Sequence, residues 1–136
     1  FYVQYAHARC CSVLRNAVDS LEQIDIRPTI LAKQMLCRLK DTNELSVIKE
    51  LTNWPKVVEG AAKAHEPHRI AFYLSDLASE FHSLWNKGKE DPGLRFIVED
   101  DKELTLARLA LVKAIAITIA SGLDIMGIEP AEELRS

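Results

Sequence analysis

The sequence has 136 residues, 48% of them hydrophobic and 27% charged, with only 5 glycines and 5 prolines. This composition is typical of one soluble globular domain with a real core, and it excludes a low-complexity or largely disordered chain. The three cysteines, an odd number with two adjacent, are typical of reduced thiols in a cytoplasmic protein rather than of a disulfide framework.

The net charge is −3, from 17 cationic and 20 anionic residues, which argues against a protein that binds nucleic acid over its whole surface. The charges are unevenly distributed, however. Residues 1–40 carry six lysines and arginines against three acidic residues. The first third of the chain is therefore basic and could bind phosphate locally, although the rest of the chain is acidic.

Helical spacing of apolar residues dominates the first half of the chain, and period-two alternation is absent. We predict helices over residues 1–22, 29–40, 44–53 and 55–64. Thr42 or Asn43 is expected to cap the third of these helices.

The second half begins with a long predicted helix over residues 67–87, followed by a loop that runs to Gly93. Asp100 and Glu103 resemble a capping box for a last helix over residues 102–121, with Gly122 as its stop. This helix is apolar nearly all round, which indicates the central helix of a bundle. Two cations within it argue against a membrane span. The elements together predict an all-α fold, a single bundle of about five to six helices.

The first predicted helix carries a cluster of aromatic and cationic residues. With residues placed 100° apart, Tyr2, Tyr5 and Arg9 lie within about 60° of one another, beside the apolar stripe. Tyrosine stacks on exposed bases and arginine binds phosphate or a base edge, so this face is a candidate surface for single-stranded nucleic acid. Such tyrosines can also form the rim of a core. His7 lies nearer the core side, where we expect it to fasten the helix.

Catalytic and metal-binding patterns are weak. Cys11 and His7 could pair on one helix, but no orienting group or oxyanion loop accompanies them. Residues 65–68 read HEPH, which lacks the spacing of a helical zinc motif, and there is no glycine-rich phosphate loop. We therefore expect neither a catalytic residue nor a metal site in this chain.

Three ordered segments resemble one known family. Residues 2–9 read YVQYAHAR, which is similar to the motif that opens the anticodon-binding domain of bacterial arginyl-tRNA synthetases. Residues 66–82 contain EPHR, YLSDLA and FH, which resemble a second family segment. Residues 108–112 and 122–128, RLALV and GLDIMGI, resemble the closing helix and tail. The matches keep the family's order and span essentially the whole chain.

The resemblance implies the α-bundle of a class I synthetase, with residues 1–136 as the anticodon-binding domain. Since the sequence lacks an initial Met, we expect a catalytic domain before Phe1. That domain would use ATP with Mg²⁺ to join arginine to tRNA, whereas this domain would need no cofactor. We expect a monomeric protein whose partners are the anticodon loop of tRNA(Arg) and its own catalytic domain, without a membrane.

The resemblance also implies which residues contact RNA. Tyr2, Tyr5, Arg9, Tyr73 and the region around Leu134 match the family's anticodon-loop surface, although Tyr73 shares a face with core residues and could equally be a packing residue. The family tail commonly ends near a Met, where this chain has Leu134. Every arginine anticodon has cytosine in the middle, so the expected pocket accepts from its amino group and donates to its ring acceptors.

Two other functions remain alternatives. A helical protein-interaction module without RNA contact would explain the bundle and its acidic body. A small thiol enzyme using Cys11 and His7 is a more distant alternative. Salt-dependent binding of tRNA would favour the anticodon-binding function over both alternatives.

Overall fold

The computed structural model describes residues 2–21, 24–31 and 36–133. In these ranges the chain forms six α-helices, two 3₁₀ turns and no strand. The helices are α1 (Tyr2–Ser20), α2 (Pro28–Leu31), α3 (Thr42–Thr52), α4 (Trp54–Ala64), α5 (His68–Glu90) and α6 (Lys102–Ile125). The 3₁₀ turns are Leu36–Arg38 and Pro92–Leu94. The all-α prediction is therefore confirmed.

Helix α6 lies at the centre of the bundle and packs against α1, α2, α3 and α5. Its length and hydropathy would suffice to cross a membrane, but 56% of its most apolar window is buried inside the protein. Burial on several sides explains why its sequence is apolar nearly all round. The prediction of a central buried helix is confirmed.

Two polar residues of α6, Thr105 and Arg108, are buried with hydrogen-bond partners. Arg108 donates from Nε to Glu44 of α3 at 3.0 Å and from Nη1 to the carbonyls of Gly93 and Arg95, both at 2.8 Å. The hydroxyl of Thr105 donates to a backbone carbonyl of the loop that precedes α6. These bonds satisfy groups that would otherwise be costly to bury, and they attach α3 and the loop after α5 to the central helix.

Two predicted helix ends were wrong because the glycine at each place allows close packing inside a helix instead of ending it. Helix α5 continues to Glu90, and Gly88 lies where an added Cβ would be 3.2 Å from the Arg95 backbone. Helix α6 passes through Gly122, where a Cβ would meet the Leu74 side chain at 2.7 Å, so the glycine allows close approach of α5 and α6. The chain instead turns at Gly127, whose φ of 73° favours glycine.

The helix caps also differ from those predicted. Asp41, rather than Thr42 or Asn43, caps α3 and forms a capping box with Glu44. Asp101, rather than Asp100, caps α6 by accepting from the Leu104 N–H. In both cases the aspartate is the last residue with non-helical backbone, which is the geometry that a capping side chain requires. Of the helix predicted over residues 29–40, residues 32–35 lie outside the described ranges.

Candidate nucleic-acid interface

The outward face of α1 carries the tyrosines that the sequence indicated. Tyr2 and Tyr5 are each 48% exposed, and Arg9, one turn further on, is half-buried. The neighbouring stripe of α1 is buried in the core, as predicted; its members are Ala6, Cys10, Val13, Leu14 and Ala17. Packing of that stripe against the bundle fixes the rotation of α1 and thereby turns both tyrosines toward solvent.

The guanidinium of Arg9 lies against two aromatic rings from different helices. Its Cζ is 5.0 Å from the ring centroid of Tyr5 and 4.5 Å from that of Trp85, which belongs to α5. Both distances are within the range of a cation–π interaction, which favours arginine over lysine because the guanidinium is planar. The two rings therefore hold a cation at the surface in a restricted orientation.

His82 of α5 completes this arrangement. Its Nδ1 lies 3.3 Å from Nη1 of Arg9, and its ring centroid is 4.8 Å from that of Tyr2 and 6.3 Å from that of Tyr5. Burial, followed by the positive charge of Arg9, lowers the pKa of His82 below its usual value, against an opposing contact with the Tyr2 backbone. The imidazole is therefore neutral near pH 7.

These side chains line an open groove between α1 and α5, with a volume of about 570 Å³. We call it the α1–α5 groove; it is lined by Tyr2, Tyr5, Arg9, His82 and Asn86. Aromatic faces, a fixed cation and an amide are the groups with which proteins stack on unpaired bases and form hydrogen bonds to their edges. The groove is suited to a splayed, single-stranded segment rather than to a rigid duplex.

A second hollow, of about 410 Å³, adjoins this groove and shares Tyr5 and Arg9 with it. Trp85, Arg15 and Glu133 line its far side. A nucleic-acid strand that leaves the α1–α5 groove along α1 would therefore pass Arg15 and the protein segment close to the C-terminus.

The segment before the C-terminus lies along α1 and is held there by three side chains. Gln4 accepts from the Ala131 N–H at 2.7 Å and donates to the carbonyl of residue 129 at 2.9 Å. His7 is buried, with Nδ1 2.6 Å from the Ala131 carbonyl, and Arg15 donates to the carbonyl of Glu132. The expectation that His7 fastens this helix agrees with its position.

The arrangement of His7 also bears on the thiol alternative. The Ala131 carbonyl can only accept, so Nδ1 of His7 must carry the hydrogen of that bond. Its 3.8 Å contact with Sγ of Cys11 therefore offers no lone pair to take up the thiol proton. Burial also raises the pKa of the Cys11 thiol, which disfavours the thiolate. Nothing in this pair activates a nucleophile.

Tyr73 lies apart from the α1–α5 groove. Its side chain is only 5% exposed, its hydroxyl donates to the Glu50 carbonyl at 2.7 Å, and its ring lies 5.1 Å from that of Trp54. Burial raises the pKa of the phenol, which keeps it a donor. These contacts favour the packing role that the sequence had left open. Leu134, the remaining predicted contact, lies outside the described residues.

Sequence reasoning missed three residues at or beside the groove, His82, Trp85 and Asn86, and also Gln4, which holds the segment before the C-terminus. His82 had been noted only as part of a motif, and neither Trp85 nor Gln4 had been singled out. A usable signal existed for α5, because His82, Trp85 and Asn86 follow the three- and four-residue spacing of one helical face. The spacing does not indicate which helix lies beside that face, and in the structure it is α1.

Comparison with known proteins identifies the family of this bundle. A family model described as the DALR anticodon binding domain matches residues 3–134. The chain is 53% identical over 135 residues to an arginine–tRNA ligase of Azorhizobium caulinodans and 50% identical to one of Xanthobacter autotrophicus. In both cases the match covers 99% of this chain but 23% of the relative, so the chain spans about a quarter of their length.

Solved structures give the same result for the fold. An arginyl-tRNA synthetase from Campylobacter jejuni superimposes with a TM-score of 0.76 at 25% identity, over 98% of this chain and 26% of that one. The arginyl-tRNA synthetase of Thermus thermophilus gives a TM-score of 0.70 at 28% identity, over 98% of this chain and 21% of that one. The bundle is therefore a recurring unit within larger proteins.

Proposed function

Since this chain belongs to the DALR anticodon-binding domain family, we propose that it binds the anticodon loop of tRNA(Arg) through the α1–α5 groove. The observation that carries the proposal is the position of Arg9 between the rings of Tyr5 and Trp85, beside the exposed ring of Tyr2. Exposed rings next to a fixed cation fit the bases and backbone of a single-stranded loop.

The proposed target is a loop with cytosine at its centre, because every arginine anticodon has that base in the middle. Cytosine presents an amino donor and ring acceptors, so its site must combine an acceptor with a donor. The Arg9 guanidinium supplies donors, and Tyr2 or Tyr5 supplies a ring that can stack on the base. The amide oxygen of Asn86, also in the groove, supplies an acceptor.

We further propose that the full-length protein is an arginine–tRNA ligase, as its relatives are named. In such an enzyme a separate catalytic domain would use ATP with Mg²⁺ and arginine as substrates, and this domain would contribute binding of tRNA. The net charge of −3 supports a division in which many phosphate contacts are made by other parts of the enzyme. We expect a monomeric, cytoplasmic enzyme.

Replacement of Tyr5 by alanine in the full-length enzyme tests the proposal. Loss of one stacking ring costs about 1–3 kcal/mol, so the KM for tRNA should rise roughly fivefold to a hundredfold, with little change in the KM for arginine or ATP. Phe72→Ala is the matched control, since Phe72 is an exposed aromatic residue of α5 that does not line the groove. Unchanged tRNA kinetics in Tyr5→Ala would overturn the role of the groove.

A titration at two salt concentrations separates the proposal from a protein-interaction module. Binding of a tRNA(Arg) transcript by the full-length protein should weaken with salt, since phosphate contacts release counterions. Absence of such binding, together with full arginylation after deletion of this domain, would favour the interaction module.

A further inference from the structure

His82 occupies the position in the α1–α5 groove where α5 meets the exposed face of α1. It contacts Arg9 through Nδ1 and lies against the rings of Tyr2, Tyr5 and, on its own helix, Phe81. A guanidinium has only donors, so the 3.3 Å contact with Arg9 requires His82 Nδ1 to be the acceptor. The ring must then be neutral, with its hydrogen on Nε2.

The two aromatic neighbours of Arg9 leave one degree of freedom open. Cation–π contact with Tyr5 and Trp85 holds the guanidinium over the two rings, but it is not directed at any one N–H and so only weakly restrains rotation of the group. A directed hydrogen bond to the edge of the group removes that freedom. In the part of the chain that the structure describes, His82 supplies such a bond to the Arg9 side chain.

We propose that His82 is a positioning residue that fixes the Arg9 guanidinium for base recognition by accepting its hydrogen bond at Nδ1. This inference rests on the proposed function, because it concerns how the α1–α5 groove discriminates between bases. His82 itself need not touch RNA. Its effect is to turn the remaining donors of Arg9 toward one position, so it should influence selectivity more than total affinity.

The same geometry makes selectivity depend on pH. The charged group that faces His82 from α1 is Arg9, and its other neighbours in the groove are the rings of Tyr2 and Tyr5 and the amide of Asn86. Since the pKa of His82 is lowered, the ring stays an acceptor at neutral pH. It gains a proton only when the pH falls below the ordinary pKa of a histidine. Protonation removes the lone pair at Nδ1 and places a second cation beside Arg9.

Two variants separate the acceptor from the ring. His82→Asn places an amide oxygen at the same number of bonds from the backbone as Nδ1, so it can still accept from Arg9 without titrating. His82→Phe keeps a ring against Tyr2 but cannot accept a hydrogen bond. A purely structural role for the ring would favour the phenylalanine variant, and the positioning role favours the asparagine variant.

The measurement uses two anticodon stem-loop RNAs, with cytosine or uracil in the middle of the anticodon, and is the Kd of the full-length protein for the uracil RNA divided by its Kd for the cytosine RNA. A ratio cancels the general gain in affinity that any added positive charge gives. His82→Phe should reduce the ratio about tenfold, as expected for the loss of one directed bond to a charged group, and His82→Asn should retain most of it. Acidification from about pH 7.5 to about pH 5.5 should reduce the ratio in the original protein but not in His82→Asn.

Nitrogen NMR of the imidazole provides a readout that needs no RNA. In the original protein at neutral pH, Nδ1 of His82 should be unprotonated and Nε2 protonated. Protonated Nδ1, or equal selectivity in His82→Phe and the original protein, would overturn the inference while leaving the proposed function intact. No preference for cytosine in the original protein would overturn the proposed function, and the inference with it.

Discussion

The side-chain oxygen of Gln4 accepts a hydrogen bond from the Ala131 backbone across 127 residues of sequence. Because its amide nitrogen also donates to the carbonyl of residue 129, one side chain satisfies a donor and an acceptor of the same segment. Gln4→Ala removes both bonds, so the segment should open more readily from α1. We expect amide hydrogen exchange at Ala131 to accelerate about tenfold, which corresponds to about 1.4 kcal/mol.

Gln4→Glu serves as the control for this prediction, because it keeps the acceptor for Ala131 and loses only the donor. Its exchange at Ala131 should stay closer to that of the original protein. Equal protection in Gln4→Ala and the original protein would mean that the bond from His7 is sufficient to hold the segment.

Arg9→Lys tests whether the shape of the cation matters in addition to its charge. Lysine keeps the positive charge but loses the planar group between Tyr5 and Trp85 and the directed donor to His82. Affinity for an anticodon stem-loop RNA should fall about tenfold, while the slope of log Kd against log salt stays the same because the number of charges is unchanged.

Arg9→Gln is the companion variant, in which the loss of charge should also reduce that slope, by up to about one. If Arg9→Lys binds as tightly as the original protein, the arginine acts only as a point charge and the aromatic contacts serve stability alone.

Tyr73→Phe distinguishes the two roles that the sequence left open for this tyrosine. The buried hydroxyl donates to the Glu50 carbonyl, so its removal should lower the free energy of unfolding by about 1 kcal/mol. RNA affinity should not change, because the ring packs against Trp54 away from the α1–α5 groove. Denaturant unfolding and an RNA titration measure the two quantities. Weaker RNA binding at unchanged stability would point to a base contact instead.

Glu44→Gln tests the buried ion pair between α3 and α6. The side chains of Arg108 and Glu44 are only 6% and 5% exposed, and removal of the negative charge would leave the buried Arg108 cation with only neutral acceptors as partners. We expect the free energy of unfolding to fall by about 3 kcal/mol in urea denaturation.

Glu103→Gln is the matched control, since Glu103 pairs with Arg38 at the surface and is 49% exposed. Its effect should stay within about 0.5 kcal/mol. Similar losses in both variants would show that burial does not determine the strength of the pair in this bundle.

The helical class, the central position of α6 and the outward face of α1 were all predictable, because each depends on the spacing of apolar residues along one helix. Tyr2, Tyr5 and Arg9 share a face at any rotation of the remaining bundle. The glycine at position 122 was misread for a related reason. Local preference favours a helix stop there, whereas the close approach of Leu74 makes the glycine a packing residue.

The groove itself was decided by the tertiary structure. His82 and Arg9 are 73 residues apart, and their contact depends on how α5 crosses α1 once both have buried their apolar faces. The same packing buries Tyr73 and leaves Tyr5 exposed, although both are tyrosines on amphipathic helices. Helical periodicity determines which residues of one helix share a face, but the helix that covers or completes that face is selected by burial over the whole chain.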